Sequence, residues 1–124
     1  LRAGVVFVME RGIDEIRAHE GRLFECFWQG AREIPGLVLY GPDRWEDRVA
    51  VVSVNLEGRD PAWVGHRLDR DFGIMVRVGL HCAPSAHRTL GSFPGGTVRV
   101  AFGLFNTEED VDRVLGALDT VARG

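Results

Sequence analysis

The chain has 124 residues, 45% of them hydrophobic and 27% charged, and a net charge of −3. Such a composition describes one soluble globular domain, and the acidic balance argues against a nucleic-acid binder, which normally carries a basic face. All 15 basic residues are arginine, so no lysine is available for a Schiff base, and this chain cannot anchor pyridoxal phosphate covalently in the usual way.

The apolar run from Ala3 to Met9 falls well short of the ~20 residues that span a bilayer, so no membrane attachment is expected. Arg2 precedes that run, but no small-residue cleavage site follows before Glu10, and the sequence does not read as a signal peptide. Two cysteines, Cys26 and Cys82, are too few for a disulfide framework and imply a reduced, cytoplasmic protein.

Ile13, Ile16, Leu23, Phe24, Phe27, Ala31 and Ile34 recur at helical spacing, which predicts a long amphipathic helix between Gly12 and Pro35-Gly36. Cys26 borders that stripe and reads as a structural thiol. His19-Glu20 opens like a zinc-protease motif, but the second histidine would fall at Leu23, which excludes it. Leu37 to Tyr40 predicts a short strand, Gly41-Pro42-Asp43 a turn, and the valine-rich Arg48 to Glu57 a central strand. Asp60-Pro61 starts a helix as N-cap and first-turn proline, with Trp63, Val64, Leu68 and Phe72 facing the core until Gly73. Ile74 to Val78 returns as a strand and leads to Cys82, after which Pro84 begins a short helix. Past the Gly91–Gly96 loop, Thr97 to Phe102 alternates. Val98, Val100 and Phe102 take one face, Thr97, Arg99 and Ala101 the other. Thr107-Glu108-Glu109-Asp110 opens a last helix carrying Val111, Val114, Leu115, Leu118 and Val121. The fold class this predicts for residues 1–124 is α/β, an α+β sandwich: a small, mainly antiparallel sheet with helices packed on it.

Cys82 is the residue most like a nucleophile. Nearby cations and helix N-termini activate a thiol by lowering its pKa, and His81, Arg77, Arg88 and the Pro84 helix surround it in sequence. A free cysteine is also among the most often buried residue types, so the local pattern alone leaves a structural thiol open. Zinc is not supported: the soft candidates Cys82, His81, His87 and Cys26 do not pair at metal-binding spacing. Gly91-Ser92-Phe93-Pro94-Gly95-Gly96 lacks the lysine and long helix of a phosphate loop. A cysteine hydrolase using His81 or His87 as base has no visible oxyanion site. Arg99, a charge in mid-strand, is either an edge-strand charge or an anion binder set on a rigid element. What remains is Cys82 with Arg77 and Arg99: a thiol beside guanidinium groups, which grip a carboxylate through paired hydrogen bonds.

The segment Arg77-Val78-Gly79-Leu80-His81-Cys82-Ala83-Pro84, with His87-Arg88-Thr89-Leu90-Gly91 after it, resembles the cysteine loop of class V aminotransferase-type cysteine desulfurases and selenocysteine lyases. Gly96-Thr97-Val98-Arg99-Val100-Ala101 and Phe105-Asn106-Thr107-Glu108-Glu109-Asp110-Val111-Asp112 carry the same resemblance. So do His19-Glu20, Ile34-Pro35-Gly36, Tyr40-Gly41-Pro42, Leu68-Asp69 and Phe72-Gly73-Ile74 upstream. Those enzymes are several-fold longer, and the chain resembles their C-terminal small domain alone, without the large domain that holds pyridoxal phosphate on a lysine. The resemblance implies that the complete enzyme removes sulfur or selenium from cysteine or selenocysteine, with the cofactor as electron sink, giving alanine and a persulfide on Cys82. It implies that Arg99 binds the substrate carboxylate, that Arg77 supports the thiolate electrostatically, and that His81 tunes or relays protons. It further implies a homodimer, a sulfur-acceptor protein as partner, and no activity for the 124-residue chain by itself.

Val78 stands where the family commonly has a small hydroxyl residue, and Ala101 where it often has serine, so two hydrogen bonds near the site are expected to be lost. Two other readings use the same fold: a binding module in which Cys82 is structural, and a class V paralogue that does not use Cys82. A truncated domain also predicts an exposed apolar patch around Leu1 to Val8, covered by another chain or by crystal neighbours.

Overall fold

Local signals start and stop each element, and strand alternation decides the layers. A computed structural model describes every residue from Leu1 to Gly124. Its first elements are helices α1 (Arg2–Arg11) and α2 (Ile13–Arg32), strand β1 (Leu37–Tyr40), a 3-10 turn at Trp45–Asp47 and strand β2 (Val51–Leu56). Then follow α3 (Pro61–Phe72), β3 (Arg77–Gly79), α4 (Pro84–Leu90), β4 (Thr97–Ala101) and α5 (Glu108–Arg123). The strands form one sheet in the order β1-β2-β4-β3, with every neighbour antiparallel. This is the expected helix-covered antiparallel sheet.

The caps behave as their residues dictate. Asp60 accepts from the backbone N–H of Ala62 at 2.8 Å and of Trp63 at 3.1 Å, with Pro61 in the first turn of α3. Gly73 ends that helix at φ 65, in the left-handed region. At the start of α5 the Thr107 hydroxyl and the Asp110 carboxylate satisfy each other's backbone N–H groups. Those bonds, with the Asn106 amide, hold the Asp110 carboxyl below its ordinary pKa.

Val52, Val54, Leu56, Val98 and Val100 point from the sheet into the core, all at most 4% exposed. There they meet Leu23, Phe24, Phe27 and Ala31 of α2, Val64 and Leu68 of α3, and Val111, Val114, Leu118 and Val121 of α5. The opposite face, carrying Val51, Ser53, Asn55 and Arg99, is half-open.

Several boundaries differ from the sequence reading. The predicted strand Arg48–Glu57 starts only at Val51, because Arg48 turns its guanidinium over the rings of Phe24 and Trp28, 4.5 and 4.8 Å from their centroids. The predicted strand Ile74–Val78 is shifted to Arg77–Gly79. Ile74 and Val76 still pack on the core, but their backbone leaves the sheet. That divergence opens a cleft of about 320 Å³ beside Val100 and Ala101, away from Cys82 and Arg99. Ile13, expected on the buried stripe of α2, is 71% exposed. Gly12, at φ 87, breaks the path between α1 and α2, so Ile13 joins the apolar side of α1 instead.

No periodicity announced α1, and none of its residues is buried. Leu1, Val5, Val6, Phe7, Val8 and Met9 are all exposed, and Leu1, Val5, Val8, Met9 and Ile13 line a shallow apolar groove. The apolar surface anticipated at the N-terminal end is present. No helix of the chain is long and apolar enough to cross a membrane.

Candidate active site

The pairing register builds the site. Tyr40 lies opposite Ser53, Ser53 opposite Arg99, and Arg99 opposite Arg77, so one row crosses all four strands on the half-open face. Like charges at directly opposed positions repel, yet neither Arg77 nor Arg99 has a carboxylate partner among the ion pairs. Two unneutralised guanidinium groups on neighbouring strands attract anions, and a planar guanidinium fork can hold a carboxylate through paired hydrogen bonds.

Three residues past Gly79, at the end of β3, comes Cys82, exposed and unpaired. The Ala83 N–H donates to the Leu80 carbonyl at 2.8 Å, closing a turn whose central residues, His81 and Cys82, sit at φ 49 and 60. Both are left-handed without being glycine, a conformation costing about 1–3 kcal/mol per residue that the surroundings must hold. Part of the holding is visible. His81 Nε2 donates to the Thr97 carbonyl at the start of β4, 3.2 Å away. Gly96, at φ 78, passes so close to Gly79 that a Cβ built there would lie 2.7 Å from the Gly79 Cα. Only glycine fits that crossing.

Burial pushes the His81 imidazole below its ordinary pKa, and the Arg99 guanidinium adds to this; the Thr97 carbonyl opposes it, and His87 and Arg77 contribute in the same direction as Arg99. Burial and the Arg99 guanidinium both favour the uncharged imidazole. With its Nε2 proton directed at the Thr97 carbonyl, the Nδ1 lone pair is the ring's free basic position.

The other candidates lie elsewhere. Cys26 is half-buried in α2 against the core, and burial with the Asp112 and Glu108 carboxylates raises its thiol pKa. His19 Nε2 donates to the Asn106 carbonyl at 2.9 Å, a structural tie between α2 and the turn before α5. No three His, Cys, Asp or Glu side chains come together as metal ligands. Arg88 lies over the Phe93 ring, 4.5 Å from its centroid.

Of the two departures, Val78 needs correction. Strand alternation turns it away from Arg77 and Arg99, toward α3, where a Cβ on Gly65 would collide with its Cγ2. A hydroxyl at that position would meet α3 and not the arginine row. Ala101 does share the Arg99 face, opposite Val51. Sequence reading also passed over Tyr40 and Ser53 in the row. It weighed His87 as a base, a ligand and a part of the cysteine-loop resemblance, whereas His87 is 5% exposed and bonded through Nδ1 to the Ser92 hydroxyl at 2.7 Å. The two row residues could have been found only from the register; the His87–Ser92 pair carries no sequence signature.

Residues 1–114 match the family described as Aminotransferase class-V. A "probable cysteine desulfurase" of Synechocystis sp. is 35% identical over 99% of this chain, which spans 29% of that relative. Another from Halobacterium salinarum is 35% identical over 96% of this chain, which spans 28% of that relative. Among solved structures, the cysteine desulfurase of Thermococcus onnurineus superposes with a TM-score of 0.91 at 34% identity. That match covers 98% of this chain and 30% of the other. A desulfurase of Escherichia coli shares the fold, with a TM-score of 0.86 at 22% identity. The chain thus spans less than a third of the relatives it matches, in sequence and in structure alike. From end to end, fold and sequence agree: the chain belongs to the class-V aminotransferase family, with cysteine desulfurases as its relatives.

Proposed function

We propose that this chain is the C-terminal small domain of a cysteine desulfurase, with Cys82 as sulfur acceptor and Arg99 as the clamp on the substrate carboxylate. The observation that carries this reading is the uncompensated pair of opposed arginines on β3 and β4, with an exposed thiol on the turn that β3 feeds. The relatives' name supplies the reaction class.

The chain has no lysine, so its residues do not fit covalent attachment of the pyridoxal phosphate that the family implies. That group belongs to the larger part of the enzyme, the part that also covers the apolar side of α1. Within this chain the chemistry is transfer of a sulfur atom. The Cys82 thiolate attacks the sulfur of a bound cysteine, an S–S bond forms as the Cβ–S bond breaks, and the electron pair stays with the carbon. That carbon takes a proton and leaves as alanine, and Cys82 is left as a persulfide; selenium of selenocysteine fits the same step. Arg99 orients the amino acid by its carboxylate, Arg77 adds positive potential that favours thiolate, and uncharged His81 takes the thiol proton at Nδ1. The persulfide, being exposed, is presented to an acceptor protein in a reducing compartment such as the cytoplasm, and the complete enzyme is a homodimer.

The test is the complete enzyme with L-cysteine. Mass spectrometry is expected to find one added sulfur on the peptide carrying Cys82, and Cys82→Ala should abolish alanine formation. Alanine released by Cys82→Ala at the wild-type rate would remove Cys82 from the mechanism.

A further inference from the structure

The sulfur and the carboxylate clamp reside on different segments, the turn after β3 and the middle of β4. Between them run α4 and the loop Gly91–Gly96, and something must fix the path of that connection. A buried knot does so. The His87 carbonyl, near the end of α4, accepts from the backbone N–H of Ser92 at 2.9 Å and of Phe93 at 3.2 Å. Its side chain is bonded through Nδ1 to the Ser92 hydroxyl at 2.7 Å, with both residues buried. The Ser92 carbonyl then accepts from the Gly96 N–H at 2.7 Å, and Gly96 is the residue pressed on Gly79 immediately before β4. On its other side the His87 ring stands 6.0 Å from the His81 ring, within the turn that carries Cys82.

We propose that His87, through Ser92, is a positioning residue that sets where the Cys82 turn stands relative to Arg99. The proposal rests on the assignment of Cys82 and Arg99 made above. A buried imidazole and a buried hydroxyl each need a hydrogen-bond partner, and here they supply one another. Here its bonds are confined to the connection between the two reactive groups. Cutting the side-chain bond frees the loop to shift while leaving the helix–sheet core untouched.

The test uses the complete enzyme in a background where Cys26 and every cysteine outside this chain are alanine, so that Cys82 is the sole thiol. Its rates of reaction with the dianionic disulfide dithiobis(nitrobenzoate) and with neutral hydroxyethyl disulfide give a ratio. That ratio reports how closely the guanidinium groups attend the sulfur. Arg99→Ala should lower the ratio by about threefold or more. His87→Ala and Ser92→Ala should lower it toward the Arg99→Ala value, and His87→Asn, which retains a polar atom at the Nδ1 position, should restore it. Loss of stability without movement would change both rates together and leave the ratio alone. If Arg99→Ala lowers the ratio while Ser92→Ala and His87→Ala leave it at wild type, the positioning role is wrong and the site assignment stands. If Arg99→Ala itself has no effect, the site assignment fails and the positioning role fails with it. Should His87→Ala not fold, the Ser92→Ala ratio decides.

Discussion

The two faces of the same sheet are built on opposite terms. Val98 and Val100 of β4 point into the helix layer and are nearly inaccessible, while Arg99 between them points to a half-open face with no carboxylate to neutralise it. Burial of one face supplies the free energy of folding. The other holds two like charges opposite each other, an arrangement that folding alone would select against. A strand alternating every residue lets a rigid hydrophobic element carry a chemical group whose placement is fixed to within a peptide unit.

That contrast can be broken by experiment. The largest effect on stability is expected in the covered layer. Phe27, fully buried and 5.3 Å from the Phe102 ring centroid, should cost about 3–5 kcal/mol when changed to alanine, read as a lower urea midpoint. Arg99→Met should leave the midpoint unchanged or raise it, since it removes one of two opposed charges. The same change in the complete enzyme should lower kcat/KM for cysteine by about 10–100-fold, the loss of a charge-assisted carboxylate contact. A drop in stability comparable to that of Phe27→Ala would show that Arg99 belongs to the fold and not to the site.

Smaller effects sharpen the comparison. Thr107→Ala removes the reciprocal cap of α5, far from the row, and should cost about 1 kcal/mol in denaturation while leaving Cys82 reactivity alone. The last is a pH effect at His81. Burial, reinforced by the Arg99 guanidinium, depresses its folded pKa, so on acidification the unfolded chain takes the proton first. The corresponding stability is intact above about pH 6.5 and is lost as pH falls through the window between there and the lower folded value. His81→Gln keeps a donor for the Thr97 carbonyl but does not titrate. Its urea midpoint should therefore fall less than wild type between about pH 7.5 and about pH 5.5. Equal declines would place the acid sensitivity elsewhere.

Much of this was legible before any coordinates. The alternation Val98-Arg99-Val100 assigned both faces of β4, and Asp60-Pro61 and Thr107-Glu108-Glu109-Asp110 placed two helix starts. What escaped depends on partners remote in sequence. Ile13 has the right spacing for the α2 stripe, but a bend at Gly12 turns it outward. Val78 neighbours Arg77 in sequence and lies on the opposite side of the sheet. The row from Tyr40 to Arg77 exists only through the register of three strand pairs, and the His87–Ser92 bond only through the path of a loop. Periodicity reports which side of an element is wet; it carries no information on which element lies beside it.

Helix α1 carries a consequence in its exposure. None of its residues is buried by the remainder of this chain, although Phe7 stacks on Phe105 with 5.8 Å between ring centroids. Val5, Val8 and Met9 therefore contribute hydrophobic free energy only when another surface covers them. Whatever occupies that groove gains what the domain by itself forgoes.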